Sequence, residues 1–206
     1  MVELSRPLST VTPTLDGDVL AVLARSDATF TAGQLHRILT HHSEAGIRKV
    51  LVRLVKQGTV HSDKVGSTFT YRLNREHLAA EYVIGLADLP GKLLKRIESR
   101  LESWAQPPVY AAIFGSAARG SMTADSDLDL LLIRPDDVDD ELWQTQVDDL
   151  AAEVTRWTGN DTQPLEFTAS EVLARGRDEP VLRAVLDHGL TVAGTRSWLN
   201  KQVRKG

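Results

Sequence analysis

The sequence predicts an α+β protein of two modules: a small N-terminal domain of helices closed by a hairpin, and a C-terminal α/β domain on a small mixed sheet. Three observations carry this. Residues 15–75 read as three short helices followed by two strands that meet at Gly66. Further on, two apolar runs, VYAAIF and LLLI, flank a turn of small residues and acids, and helix and strand patterns alternate after it. The charge is also uneven: 10 Lys and Arg against 6 Asp and Glu in residues 1–75, but 14 against 22 in residues 76–206. A basic part followed by an acidic part implies modules with different partners, the first of them suited to a polyanion.

Residues 1–14 contain two prolines and several Ser and Thr, and are expected to be a flexible arm. Leu15, Val19, Leu20, Val22 and Leu23 set a first helix. Thr31 and Gln34 stand at capping-box spacing and open a second. Ser43 is placed to cap a third, in which Ile47, Val50, Leu51, Leu54 and Val55 form one apolar stripe and Gly58 is the stop. In the hairpin Phe69, Tyr71 and Leu73 alternate, as in a half-buried strand. Residues 76–105 read as a helical connector capped by Asn74 and broken at Asp88-Leu89-Pro90-Gly91. Gln106-Pro107-Pro108 marks a boundary, and the second domain runs over 106–195. Its expected elements are strands at 109–114, 130–133 and 164–168, helices at 141–158, 170–175 and 180–188, and an apolar piece at 190–193. A basic tail, 196–206, follows.

The absence of cysteine excludes disulfides, thiolate zinc sites and cysteine nucleophiles. No apolar run approaches a membrane span, and the N-terminus lacks a basic-then-apolar leader pattern, so no membrane partner and a cytoplasmic location are expected.

The chemistry concentrates in Gly115–Leu130, GSAARGSMTADSDLDL. Asp127 and Asp129, two apart at the start of a strand, point to one face. Like charges that close repel, and a divalent cation between them removes the conflict; hard oxygen donors favour Mg²⁺ or Mn²⁺. Gly115 and Ser116 follow a strand, where glycine admits close backbone approach to an anion and the hydroxyl adds a donor. Arg119 adds a cation able to pair with phosphate oxygens. A phosphate cradle beside a metal site is the arrangement required for phosphoryl or nucleotidyl transfer. On the third N-terminal helix, Arg48, Lys49, Arg53 and Lys56 offer a basic face, to which Arg37, Lys64 and Arg72 add cations.

Two resemblances follow from these residues. Three helices and a hairpin over residues 15–75 resemble a winged helix-turn-helix domain. That likeness implies a third helix in the major groove of double-stranded DNA, or use of the module to bind a protein. Gly115-Ser116, ten residues, then Asp127-Leu128-Asp129 resembles the signature of the DNA polymerase beta-like nucleotidyltransferase superfamily, in particular the minimal nucleotidyltransferases and their antibiotic-modifying relatives. The likeness implies an enzyme that transfers NMP from an NTP, such as ATP, to an acceptor hydroxyl. Gly115 and Ser116 would meet the phosphates, and Asp127 and Asp129 would bind two Mg²⁺ ions. It also implies a third carboxylate from a nearby strand, usually Asp, to activate the acceptor; here the third strand offers Glu166. Two alternatives stay open: a DNA-binding regulator that senses a nucleotide without turnover, and one component of a toxin–antitoxin pair.

Overall fold

The computed structural model describes residues 1–205. It divides the chain into two compact units: Arg6–Pro90, and a second assembled from two stretches, Met1–Ser5 with Gly91–Gly206. No helix among the described residues is long and apolar enough to cross a membrane.

In the unit Arg6–Pro90, a 3₁₀ turn at Pro7–Thr10 precedes α1 (Leu15–Ala24), α2 (Ala32–Ile38), α3 (Glu44–Lys56), the strands β1 (Val60–Val65) and β2 (Thr68–Leu73), and α4 (Ala80–Ala87). The capping box at α2 forms as expected: Thr31 N–H donates to Gln34 Oε1 at 2.7 Å and Gln34 N–H to Thr31 Oγ1 at 3.2 Å. Ser43 caps α3 through Gly46 N–H. The α3 stripe Ile47, Val50, Leu51 and Leu54 is buried with Val19, Leu23 and Leu35 from α1 and α2 and with Val60 and Leu73 from the hairpin. Each such side chain contributes about 1.5–3 kcal/mol on burial. Strands β1 and β2 pair antiparallel around Gly66, and Phe30 adds one bridge to Tyr71.

Four expected boundaries are corrected. Residues 1–14 are not a free arm: Leu4 and Leu8 are buried, in different units. Arg6 grips the buried Asp18 of α1 through Nε (3.0 Å) and a terminal nitrogen (2.9 Å), and His42 Nε2 lies 3.0 Å from the same carboxylate. Residues 76–105 are helical and contain the change of unit, but they are not a separate connector. Ala87 of α4 joins the core of the unit Arg6–Pro90, whereas Leu93, Ile97 and Leu101 of α5 (Leu89–Glu102) join that of the other unit. Asn74 does not cap α4, which begins after Ala79; its amide donates instead to Gly58 O. Residues 196–206 are not a tail, since α10 (Arg196–Lys205) buries Leu199 and Val203.

The second unit is built on a mixed four-stranded sheet in the order β5-β4-β3-β6, from β3 (Tyr110–Ile113), β4 (Leu128–Arg134), β5 (Thr162–Thr168) and β6 (Leu190–Ala193). β3 runs antiparallel to β4 and β6; β4 and β5 are parallel, joined by the crossover helix α7 (Asp140–Thr158). Asp139 caps α7 through Leu142 N–H (2.8 Å), and Gly159, at φ +77, ends it. One face of the sheet, with Ile113, Leu128, Leu130 and Leu132, packs against α5 and the α7 stripe Trp143, Val147, Leu150 and Val154. The other, with Tyr110, Ala112, Leu131 and Ile133, is covered by Val172 of α8 (Ala169–Arg175), Leu182 and Val185 of α9 (Pro180–His188), and α10. The sheet is therefore buried on both faces, and its ends are where polar chemistry can reach solvent.

Candidate active site

β3 ends at Ile113, Phe114 N–H donates to Asp129 O (3.0 Å), and the chain turns at once into the single helical turn α6 (Gly115–Ala118). Gly115 makes that turn at φ +68, a backbone region that favours glycine. Glycine is required for a second reason. A Cβ at this position would overlap Asp129 Oδ2 and lie 2.9 Å from Asp129 Cγ. The carboxylate of Asp129 thus rests against the bare backbone of the Gly-Ser turn.

Asp129 is half-buried and Asp127 exposed. Burial raises the Asp129 pKa above its ordinary value, the charge of Asp127 raises it further, and Arg119 draws it down. The structure therefore brings together Gly115, Ser116, Arg119, Asp127 and Asp129 at one end of the sheet. Two neighbouring acids, with Asp129 seated against a turn that has no side chain in the way, fit a cation that takes one or two carboxylates and fills its remaining positions with water and phosphate oxygens. Among the described residues no group of three His, Cys, Asp or Glu is placed to hold a metal.

Glu166 is not part of this site. In the parallel register Glu166 stands beside Leu132, and Asp129 stands beside Gln163. Paired residues share a face, so Glu166 lies with Leu128, Leu130 and Leu132 on the α7 side, while Gln163, Leu165 and Phe167 share the face of Asp129. The Glu166 carboxylate accepts Trp143 Nε1–H at 2.5 Å. It lines a surface pocket of about 390 Å³ with Arg134, Asp140, Gln144 and Thr168, at the far end of β4 from Asp129. No acid occupies the third-strand positions on the aspartate face. The sequence reading missed Asn160; its two bonds to the loop before Asp127 leave no local signal.

Residues 92–166 match the family model described as a nucleotidyltransferase domain. The chain carries a nucleotidyltransferase domain. That domain spans β3, α6, β4 and α7, and with them both aspartates and the Gly-Ser turn. Nucleotide binding and nucleotidyl transfer are the general activity of such a domain, and the chain is an enzyme of that class. No curated protein matches the chain. Among solved structures it is similar to a crystal structure of a toxin–antitoxin with AMP-PNP (17% identity, 54% of this chain and 82% of that one, TM-score 0.39). It is also similar to a tri-AMPylated Shewanella oneidensis HEPN toxin in complex with MNT antitoxin (16%, 57% and 82%, TM-score 0.37).

The expected basic face of α3 is exposed, but half of it is engaged. Arg48 pairs with Glu44 one turn earlier, and Arg53 grips Asp16 of α1 through Nε (2.9 Å) and a terminal nitrogen (2.6 Å). Lys49 and Lys56 remain on the same face, with Val52 exposed between them. On the hairpin Arg72 lies 3.9 Å from Asp63, and Lys64 and Arg37 are exposed.

Proposed function

We propose that the second unit transfers NMP from an NTP, ATP in the first instance, to an acceptor hydroxyl with release of pyrophosphate. The observation that carries this is the Asp129 carboxylate seated on the side-chain-free backbone of Gly115, with Asp127 beside it. A divalent cation, Mg²⁺ or Mn²⁺, held by the two aspartates would neutralise triphosphate charge and polarise the attacked phosphorus. Gly115 leaves room for the Asp129 carboxylate at the turn, Ser116 supplies a hydroxyl donor, and Arg119 pairs with phosphate oxygens. A cation would offset the burial and the Asp127 charge that raise the Asp129 pKa. Pyrophosphate release measured with Mg²⁺ and each NTP in turn tests the reading. Turnover is expected in the wild type and lost in Asp127→Asn and Asp129→Asn; unchanged activity in either variant refutes it.

The missing third acid favours a second reading, in which the site binds a nucleotide without turnover and reports it to the N-terminal unit. In either case α2, α3 and the β1–β2 hairpin act as a winged helix-turn-helix module, with Lys49 and Lys56 as the phosphate-binding cations of α3 and double-stranded DNA as the partner. Nucleotide binding without pyrophosphate release would select the sensor. Labelled ATP transferred to a partner protein would select an acceptor of the toxin–antitoxin kind.

A further inference from the structure

Asn160 follows the glycine that ends α7, and its side chain is 1% exposed. Its Nδ2 donates to the carbonyls of Ala124 (3.2 Å) and Ser126 (2.9 Å), and its Oδ1 accepts the N–H of Val2 at 2.9 Å. These partners fix the orientation of the amide, because two carbonyls must face the NH₂ and an N–H must face the oxygen. Val2 N–H is shared with Thr158 O (3.0 Å), so residues 1–5 are tied to the same corner, where Leu4 is buried. Ser126 directly precedes Asp127, and on the other side Leu128 N–H donates to Asp161 O at 2.8 Å. The loop has its own ties, from Thr123 N–H and Oγ1 to Ser126 Oγ, but these set the shape of the turn and not its place on the domain. The Asp127 side chain is exposed. The backbone on either side of it therefore decides where its carboxylate stands.

We propose that Asn160 is a positioning residue for the acidic pair: by pinning the Ala124 and Ser126 carbonyls it holds Asp127 beside Asp129, and through Val2 it makes residues 1–5 part of the support of the site. The proposal rests on the reading of Asp127 and Asp129 as a cation site for nucleotidyl transfer. Asn160→Ala and Asn160→Asp remove the two donors. They are compared with wild type by Mn²⁺ titration followed by electron paramagnetic resonance, by amide hydrogen exchange at residues 124–128 in metal-free buffer, and by KM and kcat for pyrophosphate release.

Mn²⁺ affinity is expected to fall roughly 10–100-fold, the usual effect of removing a group that supports a metal ligand. Exchange at Ser126 and Asp127 accelerates, and KM for the nucleotide rises more than kcat falls. Thr155→Val, which strips hydrogen bonds to Thr162 from the same corner without touching the loop, lowers Tm and leaves Mn²⁺ affinity in place. Unchanged Mn²⁺ affinity and loop exchange in both Asn160 variants, or equal losses in Thr155→Val, overturn the proposal. Should neither Asn160 variant fold, the wild type decides: slow exchange at Val2, whose N–H donates to Asn160 Oδ1, is expected, and rapid exchange there and across 124–128 overturns it. A wild type that releases no pyrophosphate defeats the transfer reading, while the Mn²⁺ and exchange measurements still decide on Asn160.

Discussion

Replacing Gly115 by alanine combines two costs that a second glycine separates. Gly115 and Gly120 both lie in the left-handed region, at φ +68 and +71. An added Cβ at Gly120 meets nothing within 4 Å, whereas at Gly115 it overlaps the Asp129 carboxylate. Gly120→Ala therefore bears only the conformational cost, ~1–2 kcal/mol. At ~2–4 °C per kcal/mol for a chain of this size, Tm falls by about 2–8 °C. Gly115→Ala adds the collision, for which overpacking costs of ~1–3 kcal/mol are typical. Its total is about 2–5 kcal/mol, or a fall in Tm of about 4–20 °C by the same conversion. The carboxylate must also move, and a displacement of about 1 Å at a reacting centre is enough to lower the rate ~100-fold. Calorimetry and Mg²⁺-dependent pyrophosphate release measure the two effects. Equal Tm values and equal rates for the two variants would refute the packing of Asp129 on Gly115 as the reason for the glycine.

Because burial and Asp127 raise the Asp129 pKa, the folded protein takes up this proton before the unfolded chain does. The carboxylate therefore lowers stability as pH rises through a window that begins at the ordinary value of 3.8, and the full cost stands above the folded-state pKa. Asp129→Asn should raise Tm in metal-free buffer at pH 7, with the gain fading as pH falls below that window; no gain at pH 7 counts against the burial argument. Glu166→Gln should leave pyrophosphate release within about twofold of wild type, whereas a general base would show a loss of ~10²–10⁴-fold. Lys49→Ala with Lys56→Ala should lower the salt slope of DNA binding by about two. Arg53→Ala should instead lower Tm slightly, by stripping Asp16 of its partner; a salt slope untouched by the lysine pair removes α3 from the DNA interface.

The local parts of this molecule were legible in its sequence. The Thr31–Gln34 box, the Ser43 cap and the α3 stripe depend on neighbours within a turn or two. The Gly115-Ser116 and Asp127-x-Asp129 pattern is likewise set by one strand–turn–strand unit. The phase of β5 was not legible. Leu165 and Phe167 flank Glu166 with apolar groups, and on a sheet buried on both faces that pattern fits either orientation. Only the parallel register with β4, fixed by the long α7 crossover, assigns Glu166 to the Trp143 side. The arm and the tail were misread because Leu4, Leu8, Leu199 and Val203 are too sparse to set a period, though each is buried. The part played by Asn160 depends on partners 34 to 158 positions away, where no sequence window reaches.

The division of the second unit into Met1–Ser5 and Gly91–Gly206 constrains the order in which the chain can be completed during synthesis. As the ribosome releases it, the unit Arg6–Pro90 has all its residues and can close first, in keeping with the N-terminal-first folding of multidomain chains. Residues 1–5 must wait, with Val2 and Leu4 unsatisfied, until α7 and Asn160 emerge more than a hundred residues later. A fragment started at Gly91 would lack them permanently: Leu4 would be missing from its core, and Asn160 Oδ1 and Thr158 O would lose a donor. The separable piece of this protein is therefore the inserted one, residues 6–90, and the catalytic half is whole only when both stretches of chain are present.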